Sequence, residues 1–230
     1  MTAHSTQLAE RYRAVLERIR KADTQARVSL LAVSKTKPIE DINQLAELGQ
    51  RAFGENYLQE ALEKIEQRPD LEWHFIGPIQ SNKTKPIAEH FNFVHSVDRF
   101  KIARRLSQQR PDTLPPLKIL LEVNISGEDS KSGFSPQEVL DLAPEIAALP
   151  NLELRGLMAI PQRETDPEKQ RAPFRQLRQL LEKLRDRLPN EQLDTLSMGM
   201  SADLEAAIEE GATIVRIGTD IFGARDYGQS

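Results

Sequence analysis

The chain has 230 residues, no cysteine and a formal net charge of −4, from 31 Lys and Arg against 35 Asp and Glu. The mild acidity argues against a general nucleic-acid binder, which needs a basic surplus, and the missing cysteine excludes disulfide scaffolds, zinc–thiolate sites and thiol nucleophiles. Residues 1–20 lack the apolar run of a secretory signal, and no stretch reaches the roughly 20 apolar residues of a membrane span, so we expect a cytoplasmic protein.

Short apolar runs alternate with amphipathic stretches along the chain. Residues 6–21 place apolar side chains at helical spacing on one face, which predicts a helix. Eight apolar runs of strand length follow, at 28–34, 52–54, 73–77, 91–97, 117–125, 152–160, 193–199 and 213–218. Each of the first seven runs precedes a predicted helix, at 38–48, 57–67, 82–90, after 98, 136–149, 167–188 and 202–210. Asp98 and Ser135 are expected as N-caps, the latter with Pro136 at the first helical position.

This alternation predicts an α/β fold with a parallel sheet. Eight strand–helix units in a chain of this length match a single (β/α)8 TIM barrel over residues 1–230, with the additional N-terminal helix covering the bottom of the barrel. An open doubly wound sheet is the alternative. Against it, no G-x-G-x-x-G follows the first strand and the chain has no Walker A sequence.

Active sites in such barrels lie at the C-terminal ends of the strands, and Lys35 ends the apolar first strand. Burial there would lower the pKa of its ammonium group and favour a nucleophilic amine, which Schiff-base formation requires. The alternative is a lysine that extends to the strand mouth and forms a salt bridge.

A second candidate cluster lies after strands seven and eight. The segments SMGMS at 197–201 and RIGTDIFG at 216–223 place small residues between a strand and a helix start, where such barrels commonly bind phosphate. Ser201 and Thr219 can add hydroxyl donors. The alternative is ordinary turn and capping chemistry at both loops.

Two further residues need a partner if they are buried. Arg216, within strand eight, could pair with a carboxylate such as Glu122 or point at a ligand. His74, between Trp73 and Phe75, is more often a satisfied core histidine than a base. No H-E-x-x-H or other metal-ligand spacing occurs, so we predict no metal site.

An amine and a phosphate cradle at one barrel mouth suit pyridoxal 5′-phosphate (PLP) or a sugar phosphate. The motifs closely resemble the YggS/PROSC family of pyridoxal-phosphate homeostasis proteins over nearly the whole chain. The segments that carry this resemblance are LLAVSKTKP at 30–38, FGENYLQE at 53–60, WHFIGPIQSNK at 73–83, VNISGEDSKSGF at 123–134, GLMAIP at 156–161, LSMGMSADLEAAI at 196–208 and VRIGTDIFG at 215–223.

The resemblance implies a barrel of the alanine racemase N-terminal type that binds PLP. It implies that Lys35 forms a covalent aldimine with the cofactor and that Arg216 faces the pyridine nitrogen. Because arginine does not give up its proton, that nitrogen would stay unprotonated and the ring would be a weaker electron sink. The remaining cofactor-binding residues so implied hold the phosphate (Met200, Ser201, Gly218, Thr219) or line the pocket around the ring (Asn56, His74, Ile76).

The resemblance also bears on whether the protein is an enzyme. Racemases of this type have a second, β-rich domain with a catalytic tyrosine, which we do not expect here, and Tyr12, Tyr57 and Tyr227 are not obvious second bases. We therefore expect a monomeric PLP carrier in vitamin B6 and amino-acid/keto-acid homeostasis, with PLP-dependent apoenzymes as possible recipients. A PLP-dependent amino acid racemase and a lysine Schiff-base aldolase on a sugar phosphate remain alternatives.

Overall fold

A computed structural model describes residues 1–129 and 131–224. Eight parallel strands pair in sequence order and close into a barrel, since the first strand also pairs with the eighth. This confirms the predicted fold class, and each predicted strand is present. The strands are β1 (Ser29–Val33), β2 (Ala52–Glu55), β3 (Glu72–Phe75), β4 (Phe93–Val97), β5 (Leu117–Glu122), β6 (Leu152–Met158), β7 (Thr195–Ser197) and β8 (Ile214–Ile217).

The helices follow the sequence pattern with two differences in detail. A 3-10 turn at Ser81–Lys83 precedes the fourth helix, and a four-residue helix follows β8. The helices are α1 (Ala3–Ala22), α2 (Ile39–Glu47), α3 (Leu58–Gln67), α4 (Thr84–His90), α5 (Phe100–Gln109), α6 (Pro136–Ala147), α7 (Pro167–Arg187), α8 (Leu204–Glu209) and α9 (Thr219–Phe222). None of these helices is both long and apolar enough to span a bilayer.

One predicted N-cap is confirmed and the other is wrong. Ser135 accepts a hydrogen bond from the Glu138 N–H, and Glu138 accepts one from the Ser135 N–H, which forms a capping box before α6. Asp98 does not cap α5. The extended backbone continues through Arg99, which becomes the N-cap, and Asp98 is therefore one residue too early to reach the helix.

Two apolar layers hold the barrel together. The larger one lies between the strands and the surrounding helices and contains fully buried residues such as Phe53, Trp73 and Phe174. A small separate cluster comprises Phe93, Leu120 and Met158. Polar side chains share the barrel interior with this cluster. Hydrogen bonds between them join strands that are not neighbours in the sheet, which places these side chains inside the barrel.

The N-terminal helix does not cover the bottom of the barrel, contrary to the expectation from sequence. Helix α1 packs against α2, α8 and α9 on the outside of the barrel. The Tyr12 hydroxyl donates to Gln50 (3.0 Å), and Arg11 Nε donates to the Ile221 carbonyl (2.9 Å). The reason is that α9 has only four residues, so α1 takes the place in the outer ring that a full eighth helix would fill.

Truncation of the buried face of α1 should destabilise the protein. We expect Leu8→Ala, at a side chain with no solvent exposure, to lower the free energy of unfolding by about 2–5 kcal/mol. Leu16→Ala on the same helix, where the side chain is 39% exposed, is the control and should change stability by at most about 0.5 kcal/mol. Urea denaturation of both variants checks this; equal losses would show that α1 is not docked through this face.

Candidate functional site

A pocket of about 470 Å³ opens at the C-terminal ends of the strands. It is lined by the ends of β1, β2 and β3, by the loops after β6 and β7, and by the start of α9. Eight of the nine residues predicted for the site line it: Lys35, Asn56, Ile76, Met200, Ser201, Arg216, Gly218 and Thr219.

Barrel closure brings the two predicted clusters together. β1 and β8 pair in parallel with Ala32 opposite Ile217, so the chain segments that leave both strands lie side by side. Lys35 leaves β1 beside Gly218 and Thr219, which leave β8. An amine and a candidate phosphate loop therefore share one wall of the pocket.

Lys35 lies in a tight turn that is fixed on both sides. The Lys37 N–H donates to the Ser34 carbonyl (3.1 Å), and Thr36 has a positive φ of 66°, which a residue with a β-branched side chain rarely adopts. The Thr36 N–H donates to Glu60 Oε1 (2.6 Å), so α3 holds the turn in this conformation. The backbone around Lys35 is thus constrained by a neighbouring element.

A buried ion pair lies directly behind this turn. Lys64 Nζ donates to Glu55 Oε1 (2.6 Å), to Glu60 Oε1 (2.7 Å) and to the Ser34 carbonyl (2.8 Å). Ser34 Oγ in turn donates to Glu55 Oε2 (3.0 Å), and burial raises the pKa of Glu55 to about 7. Sequence reasoning placed Glu55 at the end of the second strand without giving it a role, and it did not select Lys64. The available signal was that Lys64 falls on the apolar face of α3, next to the buried Ala61 and Ile65.

The two loops of the candidate phosphate site are joined by Arg18 of α1. Its guanidinium donates to the Ser201 carbonyl (3.0 Å) and to Asp220 Oδ2 (2.9 Å). The first N–H groups of α9, at Thr219 and Asp220, lie at a helix start, where no intrahelical acceptor exists. Sequence reasoning missed Arg18 because it is separated from these loops by about 180 residues of chain.

Met200 lines the pocket, but its backbone is already engaged. Its N–H donates to Asp203 Oδ1 (2.7 Å), and burial raises the pKa of that carboxyl. The expectation that the Met200 backbone helps to hold a phosphate stays a prediction, and it would require this N–H to exchange Asp203 for the ligand. Its side chain is 43% exposed at the pocket rim.

Arg216 is buried in the pocket floor. Its guanidinium donates to Ser197 Oγ (2.6 Å) and to the Ala159 carbonyl (3.1 Å). Burial lowers its pKa to about 10, so it remains charged at neutral pH. No ion pair between Arg216 and Glu122 forms in the described part of the chain, so the structure does not support the pairing considered from sequence.

The structure does not bring His74 to the pocket, which corrects the expectation that it lines the ring. Its side chain is 3% exposed, stacks on Phe93 with ring centroids 4.9 Å apart, and lies within hydrogen-bond distance of Glu72 and His95. It therefore faces the barrel interior and a smaller cavity at the opposite end of the strands. Asn56 and Ile76 do lie at the pocket, as expected.

The pocket has the electrostatic character of an anion site. Lys35, Lys37, Arg163 and Arg216 supply four positive groups, and Asp203 and Asp220 supply two negative groups, which leaves a balance of +2 (4 − 2). Asn56 Oδ1 is buried without a hydrogen-bond partner, and it is therefore free to accept a bond from a ligand. Among residues 1–129 and 131–224, no group of three His, Cys, Asp or Glu is placed to hold a metal ion.

Known proteins share this fold and these motifs. The family profile of the alanine racemase N-terminal domain matches residues 6–226. Alanine racemase from Corynebacterium glutamicum superposes with a TM-score of 0.72 at 17% identity, over 98% of this chain and 63% of that chain, which shows the fold alone. The fold and the site thus define a barrel of the alanine racemase N-terminal type.

Closer relatives narrow the assignment. A pyridoxal phosphate homeostasis protein of Pseudomonas aeruginosa is 59% identical over 228 residues, which cover 96% of this chain and 97% of that protein. One of Vibrio cholerae is 58% identical over 209 residues, covering 88% of each. PipY of Synechococcus elongatus, in a structure with PLP bound, has a TM-score of 0.83 at 35% identity over 94% of this chain and 100% of that chain. The chain belongs to the family of pyridoxal phosphate homeostasis proteins.

The half-buried carboxyl of Glu122, at the C-terminal end of β5, should make stability depend on pH. Burial raises the pKa of Glu122 to about 7, so between pH 4.5 and 7 the folded state binds more protons than the unfolded state, and stability falls as pH rises through that range. The Glu122→Gln variant has no proton to lose at this position, so it should not show this fall in stability. Its free energy of unfolding, relative to that of the natural protein, should therefore increase by about 1–3 kcal/mol from pH 5 to pH 8.

Denaturant melts at both pH values measure this difference. Glu145→Gln, on the exposed face of α6, is the matched control and should show no such change. A constant difference between Glu122→Gln and the natural protein across this pH range would contradict the burial argument.

Proposed function

We propose that this protein binds PLP at the described pocket and carries or buffers it in vitamin B6 and amino-acid/keto-acid homeostasis. The observation that carries the proposal is that Lys35 and both candidate phosphate loops line one pocket. The relatives named as pyridoxal phosphate homeostasis proteins, and the PLP-bound structure of PipY, support the same ligand.

The residues present fit PLP chemically. The pocket volume of about 470 Å³ suits a small cofactor, and the positive balance suits a phosphate. Ser201 and Thr219 offer hydroxyl groups, and the start of α9 offers backbone N–H groups. The partnerless Asn56 Oδ1 is a hydrogen-bond acceptor beside the place where a ring would lie.

Lys35 supplies the covalent attachment in this proposal. Bound PLP would supply an aldehyde, and Lys35 would supply the primary amine that condenses with it as water is lost. The turn from Ser34 to Lys37, held by Glu60 and Lys64, keeps the amine at the pocket wall. Because the polypeptide is already constrained there, attachment costs little further ordering of the backbone.

Arg216 determines the state of the ring nitrogen. Its guanidinium has five N–H donors, of which the contacts to Ser197 and Ala159 use two. The others can donate toward the pocket, and a charged guanidinium beside the pyridine nitrogen disfavours protonation of that nitrogen. This weakens the ring as an electron sink, which suits storage better than catalysis.

The positions of two tyrosines favour a carrier over a racemase. The Tyr12 hydroxyl is buried under α1 and donates to Gln50, and Tyr57 caps α3 with 52% exposure. Neither lines the pocket, and Tyr227 lies outside the described residues. Solvent deuterium at the Cα of an amino acid, lost in Lys35→Ala, would instead favour a racemase.

The proposed carrier also has a compartment, an oligomeric state and recipients for the cofactor. We place it in the cytoplasm as a monomer that passes PLP to PLP-dependent apoenzymes. The cysteine-free composition supports a reducing compartment. The exposed rim residues Met200 and Ile160 support an open pocket from which the cofactor can be released.

Borohydride reduction tests the covalent attachment. After incubation with PLP, reduction should leave a pyridoxyl-phosphate adduct on the peptide that contains Lys35, detected by mass. The adduct on that peptide should persist in Lys101→Ala, which removes an exposed lysine of α5 as a control, and should be lost in Lys35→Ala. No adduct on any lysine would reject PLP and leave the sugar-phosphate aldolase as the better hypothesis.

The phosphate loops should contribute to affinity only when the ligand has a phosphate. We expect the double variant Ser201→Ala, Thr219→Ala to bind PLP about 10- to 100-fold more weakly, because two hydrogen bonds to a charged group are lost. Its affinity for pyridoxal, which lacks the phosphate, should equal that of the natural protein. Thr113→Ala, in an exposed loop at the other end of the barrel, is the control for both ligands.

Fluorescence titration with the two ligands gives both affinities. Equal losses for PLP and pyridoxal would show that these hydroxyl groups support the pocket generally and do not bind the phosphate.

A further inference from the structure

A continuous series of polar side chains crosses the barrel interior from the pocket floor to the opposite end. Arg216 Nη1 lies 2.6 Å from Ser197 Oγ, and Ser197 Oγ lies 2.8 Å from His95 Nδ1. His95 Nε2 lies 2.8 Å from His74 Nδ1, and His74 Nε2 lies 2.7 Å from Glu72 Oε1. Every consecutive pair in this series is within hydrogen-bond distance.

Elementary donor and acceptor chemistry gives this series one direction. A guanidinium can only donate and a carboxylate can only accept, so Ser197 Oγ accepts from Arg216 Nη1, and Glu72 accepts from the Nε2–H of His74. Neutral His74 then accepts at Nδ1 from the Nε2–H of His95, which leaves His95 Nδ1 to accept from the Ser197 hydroxyl.

Both histidines therefore carry their proton on Nε2. We call Arg216, Ser197, His95, His74 and Glu72 the interior chain. It runs from a cation at the pocket to an anion at the other end of the barrel.

Burial keeps both histidines in the state that this direction requires. Burial lowers the pKa of His74 and lowers that of His95 well below its ordinary value, so both rings are neutral at neutral pH. Three other charged groups face the interior chain. Lys118 of β5 acts electrostatically on Glu72 and His74, and Asp203 and Glu122 act on Arg216.

The direction of the chain determines what Ser197 can do for Arg216. A serine hydroxyl can donate or accept; here it donates to His95 Nδ1, so its lone pairs face the guanidinium. Arg216 is thereby held between Ser197 Oγ and the Ala159 carbonyl, with its remaining donors available to the pocket. Removal of Ser197 Oγ would remove one of the two acceptors that orient the guanidinium.

We propose that Ser197, His95 and His74 are positioning residues that aim the Arg216 guanidinium at the ring nitrogen of the bound cofactor. The inference rests on the proposed function, because that function places the ring beside Arg216. It also gives His74 a role different from the one expected from sequence, since His74 would act on the cofactor only through the other residues of the interior chain.

The tautomers of the two histidines test the chain without any cofactor. Nitrogen-15 NMR of the histidine rings distinguishes a proton on Nδ1 from one on Nε2, and His4→Gln and His90→Gln assign the two remaining signals. We expect both His74 and His95 to be neutral with the proton on Nε2 at pH 7 to 8. A proton on Nδ1 of His95 would overturn the inference.

A pair of serine variants tests the effect on the cofactor. Ser197→Ala should weaken PLP binding about tenfold, because Arg216 loses one of the contacts that orient it. The same variant should bind an analogue in which C–H replaces the ring nitrogen as well as the natural protein does. Ser96→Ala, which removes a buried hydroxyl that has no hydrogen-bond partner in β4, is the matched control and should leave both affinities unchanged.

The outcomes separate the inference from the proposed function. A Ser197→Ala variant that weakens both ligands equally, or neither, would reject the positioning role while the natural protein still binds PLP. Failure of the natural protein to bind PLP would reject the proposed function and, with it, the aim of Arg216 at a cofactor ring. Circular dichroism of both variants establishes that they are folded before the ligands are compared.

Discussion

The site depends on the pairing of β1 with β8. These strands are separated by some 180 residues of chain, and only closure of the sheet places Ala32 opposite Ile217. The pairing brings the Lys35 turn against the start of α9, and it places Arg216 of β8 under the same pocket. In an open sheet with the same strands in the same order, β1 and β8 would lie at opposite edges, and Lys35 would be far from the loop that follows β8.

The barrel interior is unusual in what fills it. Barrels of this type commonly fill the interior with layers of branched apolar residues. Here an inward apolar cluster of Phe93, Leu120 and Met158 shares the space with a polar series. Buried polar groups are tolerated only when they are hydrogen-bonded, and each member of the interior chain satisfies the next. The interior can therefore hold a charged arginine at the pocket floor with its guanidinium hydrogen-bonded to Ser197 and to the Ala159 carbonyl.

Support for the site also comes from outside the barrel. Lys64 of α3 holds the turn that carries Lys35, and Arg18 of α1 joins the two loops that flank the candidate phosphate position. The buried Lys64–Glu55 pair is costly to desolvate, which makes it a weak source of stability. Its value lies in the geometry it fixes at Ser34 and Thr36, because three acceptors around one ammonium group leave the turn little freedom.

Local pattern and strand order were sufficient to predict the eight strands, the barrel, and Lys35, Ser201, Gly218 and Thr219 at its mouth, since strand ends in a parallel barrel meet there. Asn56, Ile76 and Met200 were predicted for the pocket from the family resemblance, and the pocket contains them. The sequence could not locate α1, because an amphipathic helix shows which face it buries but not its partner. It also could not separate His74 from the pocket residues. Whether an inward side chain near a strand end reaches the mouth or lies a layer deeper depends on strand register and stagger, which only the tertiary structure decides.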